Sequence, residues 1–524
     1  MLWMTWLVVG LYDVRFVTDS IFERLVRAVH LGAFVGFAVV APKFDPSNQD
    51  VTTMRAMSLI LMVSRLGLMI EYGSILWHVR RFKNVHISFY VQMSIHFIAA
   101  MIYLGITFRF TNSKESKVFV TWYVVGVVEV LSTFGAAIWF PVLSLAKTHL
   151  MNRLFLLTVI ILGESIVVLA DKVVIIVENP DSWDASIIGI LTAGVATTYM
   201  VFLIYWDWMK TAYLPPLRQM LWTLVHFPFH LALVLFMQGF TQFIQWSKVI
   251  DVLNNLSTNW IIFDPVKLAH TTSEKEALDN ITDIPNAFWP KLGKALTIDD
   301  YELPDDENTL TFYNLFSGLL NAMENSVFAV FEIDLQKEAL KEEREKGGSA
   351  EEQSLSANGA QIDEATWERY NLVFTFGYIA AGACLALMVL LSIIARVTPW
   401  KPWPVIRSII YLLLALGMGL VALLNLNDDK LSAFLNTPWL LPTLCIAWTV
   451  VLLLTHIHHD IPLFFNRRSP RPGRRDTMET KSNNDSEHAQ PMVHNMDDST
   501  SYAGTGMHHG YQPAPQAQHG SEYV

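Results

Sequence analysis

The chain has 524 residues, 52% of them hydrophobic and 16% charged, with a formal net charge of -11. That composition excludes an ordinary soluble domain. The negative charge sits mainly in two acidic loops, so it gives no sign of nucleic acid, and no nucleic-acid partner is expected. The two cysteines, Cys384 and Cys445, lie in separate apolar runs and exclude a disulfide scaffold or a cysteine zinc site.

Hydropathy predicts an all-α, polytopic transmembrane bundle of about eleven full spans and one partial, followed by a disordered C-terminal tail. The partial span is 1–12. The full spans are 25–42, 54–77, 87–108, 118–140, 152–170, 186–208, 218–244, 311–334, 370–395, 405–425 and 438–456. The layout is then an N-terminal membrane bundle (1–246), a long hydrophilic loop (247–310), one membrane helix (311–334), an acidic flexible loop (335–369), C-terminal membrane helices (370–458) and a disordered tail (459–524).

The first connection packs Tyr12, Asp13, Arg15, Asp19 and Arg24 into a short turn. It is either a hydrated loop or a charge cluster that locks two helices. The third span holds Arg65 at depth and Glu71 six residues on. Arginine cannot be neutralised by losing a proton, so Arg65 needs a carboxylate or carbonyl partner. Glu71, Glu129 of the fifth span and Glu164 of the sixth are the candidates.

The sixth span, NRLFLLTVIILGESIVVLAD, carries Glu164 in its middle. An ionised carboxylate there costs roughly 2.5–3.5 kcal/mol, so Glu164 is expected to be protonated or to face partners inside the bundle. At about 100° per residue, Arg153, Glu164 and Asp171 fall within roughly 20° of one line. Glu164 is read either as a proton- or cation-handling group or as a structural hydrogen bond between helices.

The seventh span ends in Tyr205, Trp206 and Trp208, an expected interfacial aromatic belt, with Asp207 among them as an interface acid. In the eighth, His226 and His230 share a face across Pro228. They are read as a relay, a gating hinge or packed histidines. A metal would need a third ligand, and the sequence supplies none nearby, so no metal site is expected. The loop after it holds two N-glycosylation sequons, at Asn255 and Asn280. The ninth span aligns Asn314, Ser317, Asn321 and Glu324 as one polar stripe. Past it, the Arg467–Arg475 cluster fits anionic lipid at the membrane surface.

Several of these pieces resemble the low temperature requirement A (LtrA) family of multi-pass membrane proteins, in its fungal form. They are YDVRFVTDSIFERL at 12–25, Arg65-Leu66, NRLFLLTVIILGESIVV at 152–168, YMVFLIYWDW at 199–208 and LWTLVHFPFHLALVLFMQG at 221–239. The family's opening helix, with an aromatic-Glu-Leu-Phe-Phe-Asp signature, has no counterpart, and the chain starts inside what corresponds to the second family helix. The resemblance implies a membrane fold and a link to growth in the cold, without a substrate or cofactor. The expected function is transport of a small solute or ion, with Arg65, Glu71, Glu129, Arg153, Glu164, Asp207, His226, His230, Asn321 and Glu324 as the polar membrane interior and no catalytic residues. The alternatives are a non-catalytic scaffold or stress sensor and a membrane-embedded enzyme acting on lipid.

Overall fold

The computed structural model describes residues 1–16, 18–44, 49–110, 117–146, 148–177, 185–209, 214–261, 359–397, 399–435, 437 and 439–457. These residues are helical throughout their ordered elements, with no strand among them. The α-helices are α1 (Leu2–Phe16), α2 (Ile21–Val40), α3 (Val51–His78), α4 (His86–Thr107), α5 (Val120–Trp139) and α6 (Leu150–Val177). They continue as α7 (Ala185–Trp208), α8 (Pro216–Ile261), α9 (Gly359–Ala395), α10 (Pro402–Val421), α11 (Asp428–Leu435) and α12 (Leu440–His456).

Nine of these helical segments are long and apolar enough to cross a bilayer, and the bent pair α11–α12 makes a tenth if counted as one span. All but one of the eleven expected full spans fall on them. The exception, 311–334, lies outside the described residues, as do Asn280, Asn321, Glu324, the Arg467–Arg475 cluster and the tail. Broad apolar surface faces outward, for example Leu156, Ile160 and Val167 on α6. A bundle in water would bury such side chains, whereas a bundle in lipid loses nothing by exposing them.

Two helix ends differ from the expected boundaries. The hydrophilic loop expected from 247 starts later, because α8 runs on through SKVIDVLNNLSTNWI to Ile261, which places Asn255 on this helix. Likewise α9 begins at Gly359, so the last part of the expected flexible loop is helical. Both extensions are rich in polar residues, so hydropathy does not register them, while residues such as Leu, Glu, Gln and Ala still favour helix.

Packing within the bundle uses close backbone approaches. A Cβ on Gly239 of α8 would stand 2.8 Å from the Cα of Gly377 in α9, and one on Gly382 would stand 2.5 Å from the carbonyl oxygen of Ala415 in α10. Small residues let membrane helices approach this closely and so gain van der Waals contact, which replaces the missing hydrophobic drive between helices in lipid.

Candidate functional site

The polar interior is built around α1. Five of its side chains reach other helices: Trp3 to α8, Thr5 to α3, Tyr12 to α2, Asp13 to α6 and Arg15 to α3. These contacts divide into two networks.

The first network lies among α1–α5. Arg65 Nε donates to Glu129 Oε2 (2.9 Å) and Oε1 (3.2 Å), and its Nη2 lies 2.9 Å from Oε2. Arg65 Nη1 donates to Thr5 Oγ1 at 2.8 Å. The other oxygen edge of Glu129 is met by His96 Nδ1 at 2.8 Å. With the Gln92 amide as oriented, its N–H donates to His96 Nε2 (2.9 Å) and to Thr133 Oγ1 (3.1 Å), which leaves the imidazole proton on Nδ1, facing Glu129. Every group in this set is buried. A charge is tolerable at this depth only when paired and hydrogen-bonded, and here both carboxylate oxygens and the guanidinium Nε and Nη1 have hydrogen-bond partners, while Nη2 makes only the ion-pair approach to Oε2.

Stacking of Tyr72 on His96 (centroids 5.5 Å apart) links this set to a second group of acids. His30 Nε2 lies 3.2 Å from Glu71 Oε2, and both side chains are buried. Gly67 makes room for this pair. It sits one turn before Glu71 on the same face of α3, and a Cβ there would stand 3.1 Å from His30 Cε1. The Tyr12 hydroxyl donates to Glu23 Oε1 at 2.6 Å, and Arg15 Nη1 donates to the Tyr72 hydroxyl at 3.4 Å. Asp13 takes Arg153 of α6 at 2.9 Å and Arg27 at 3.6 Å. Asp19 and Arg24 pair with each other at 2.8 Å on the exposed side of the turn. The first connection therefore splits in two: Tyr12, Asp13 and Arg15 fasten helices, while Asp19 and Arg24 form a solvated pair.

The second network joins α1, α6, α7 and α8. Trp3 Nε1 donates to His230 Nδ1 at 2.9 Å, and an indole N–H can only donate, so Nδ1 is an acceptor. His230 Nε2 then carries the proton and donates to Thr158 Oγ1 at 2.8 Å. At the other end, His226 Nδ1 faces the carbonyl oxygen of Trp222 at 2.8 Å, so it must donate, and His226 Nε2 accepts from the Tyr205 hydroxyl at 3.0 Å. Thr158 closes the chain by donating toward Tyr205 Oη (3.1 Å) or the Leu154 carbonyl (3.1 Å). All four ring nitrogens are used, and two neutral imidazoles satisfy the chain in one direction. This is a packed relay of hydrogen bonds.

Placement differs from expectation for two residues. Glu164 does not join Arg65. It is exposed on α6, between exposed Ile160 and Val167, without a partner among the described residues. The face of α6 that packs inward carries Leu154, Thr158, Leu162 and Leu169. Glu164 stands two residues past Leu162, about 200° round the helix. Asp171 is exposed with it, whereas Arg153, on the same line, turns to Asp13 of α1, so only the Glu164–Asp171 part of the line points outward. Tyr205 is not part of an interfacial belt. It is fully buried and bonded to His226, while neighbouring Trp206 is exposed. Asp207 is half-buried at the end of α7, 3.5 Å from His456 Nε2.

The sequence does not single out His96, Gln92, His30, Thr5 or Trp3, while Glu23 is one of the five charges of the first connection. A signal existed for two of them: Gln92 and His96 are four apart in an otherwise apolar span, as His226 and His230 are.

The family model described as bacterial low temperature requirement A protein (LtrA) matches residues 1–272, which contain both networks. No curated protein and no solved structure matches the chain.

Proposed function

Because the chain belongs to the low temperature requirement A family, and so is an integral multi-pass membrane protein, we propose that it moves a small solute or ion through its N-terminal bundle, coupled to a proton carried by Glu71 and His30. The observation that carries this reading is the contrast between two buried carboxylates. Glu129 is held by an arginine fork and a histidine, and an arginine has no proton to give up to its partner. Among the described residues Glu71 has one side-chain partner, and that partner is an imidazole. A carboxyl–imidazole pair can share a proton, take up another and release it, which an arginine pair cannot do. Intramembrane ionisable groups on several helices, in contact through Tyr72, are the expected make-up of such a path.

In this reading Glu129–Arg65 is the fixed anchor and Glu71–His30 the group that changes charge. A part in growth at low temperature, as the family description has it, belongs to the same reading. The test is flux into liposomes holding the purified full chain and a pH-reporting dye, challenged with a panel of inorganic ions and small organic solutes. Wild type should move protons with at least one of them, and Glu71→Gln should not, at equal insertion. Proton-coupled flux that persists in Glu71→Gln would overturn the assignment. Slow growth in the cold of cells lacking the protein, restored by wild type and not by Glu71→Gln, would connect the transport to the family's description.

A further inference from the structure

A basic pocket opens where α7 and α9 end and α10 begins, lined by Trp208, Ser392, Arg396, Trp400, Arg407 and Tyr411. Apart from Trp208, these residues lie beyond the segment matched to the family. Three observations describe its chemistry. First, two guanidinium groups line one small cavity, each over an aromatic ring: Arg396 lies 4.7 Å from the Trp400 centroid and Arg407 lies 6.0 Å from that of Tyr411. Second, Arg407 uses Nη1 for the Thr455 carbonyl at 3.2 Å, and its Nε and Nη2 make no protein hydrogen bond among the described residues. Those two nitrogens form the side-on edge that fits two oxygens of one oxyanion. Third, the wall is rigid. Trp208 stacks on Tyr411 at 5.0 Å, and both are pinned to Thr455 Oγ1, at 3.2 and 2.9 Å. At the rim Arg218 of α8 donates to the Arg396 carbonyl at 3.2 Å, which brings a third cation near. Among the described residues, the Asp207 carboxylate lies 3.5 Å from His456 Nε2.

We propose that this pocket binds a phosphate group, that of an anionic membrane lipid headgroup. The cluster of helix ends and the exposed Trp400 put the pocket at the level where headgroup phosphates lie. A pair of arginines with aromatic neighbours at that level recognises a phosphate better than a point charge does, since the fork takes two oxygens while the rings cover the guanidinium faces. The proposal is independent of the transport reading and stands or falls without it.

The experiment titrates the purified full chain, in neutral detergent, with short-chain phosphatidic acid, with phosphatidylcholine of the same chain length, and with inorganic phosphate. Phosphatidic acid is expected to bind tightly and the other two weakly. Arg396→Gln/Arg407→Gln should weaken phosphatidic acid binding by about 30-fold, roughly fivefold for each arginine. Should that variant fail to fold, Arg396→Lys/Arg407→Lys keeps both charges, loses the fork, and should bind more weakly than wild type. Equal binding of the two lipids, or a folded variant of either kind that binds like wild type, overturns the proposal. Inorganic phosphate binding as tightly as phosphatidic acid assigns the pocket to free phosphate and overturns the lipid.

Discussion

Arg65 illustrates what one residue type demands of its surroundings. It cannot shed its proton, it lies at depth, and so a carboxylate or a carbonyl must come to it. That demand is legible in the sequence. Which acid answers it is not, because Glu71, Glu129 and Glu164 stand on different faces of different helices, and only the fold, which brings the Arg65 side chain of α3 to Glu129 of α5, selects Glu129. Replacing one member of a buried pair strands the other. Arg65→Met is therefore expected to cost about 3–5 kcal/mol, seen as a lowered Tm in detergent. A Tm within experimental error of wild type would show that Glu129 finds another partner or a proton. The histidine relay gives a smaller test. Trp3→Phe leaves His230 Nδ1 buried without a donor and should cost about 1–3 kcal/mol by the same measurement. Tyr205→Phe should cost a similar amount, by stranding His226 Nε2 instead. Glu164 shows the limit of helical spacing as a guide: the line it shares with Asp171 exists, but spacing alone does not say whether a face turns inward or outward.

Among the elements, α1 holds the arrangement together although it is shorter than a full span. Its ties to α2, α3, α6 and α8 place it between the two polar networks, with Thr5 entering one and Trp3 the other. Hydropathy finds helices by apolar length and so saw α1 only as a partial span. Its role comes from a few polar atoms whose partners lie as far as 227 positions away in sequence. For the same reason the ten spans among the described residues were legible while the polar ends of α8 and α9 were not. The crossing of α8 on α9 depends on glycine. Gly239→Ala places a methyl against the Gly377 backbone and must part the helices, at about 1–3 kcal/mol. A Tm unchanged in that variant would mean that the crossing is looser than its geometry implies.

For the whole molecule, the two halves differ in character. The N-terminal bundle concentrates buried ionisable groups, with Arg65, Glu129, His96, Glu71, His30 and Glu23 all inside, and it is the part that matches the family. The described C-terminal helices are apolar inside and carry their charges at the ends, where Arg396 and Arg407 line a pocket. Transport in this account belongs to the first half, and lipid contact of a specific kind to the second. Neither the solute nor the path is written in residue spacing, because both depend on which helix faces meet.

The most direct test of the account is proton flux in liposomes containing wild type, Glu71→Gln or Glu164→Gln, inserted to equal density and challenged with the same panel of solutes. The account predicts proton-coupled uptake by wild type, none by Glu71→Gln, and uptake close to wild type by Glu164→Gln. Uptake retained by Glu71→Gln and lost by Glu164→Gln would move the proton from the buried Glu71–His30 pair to the outer face of α6, and contradict it.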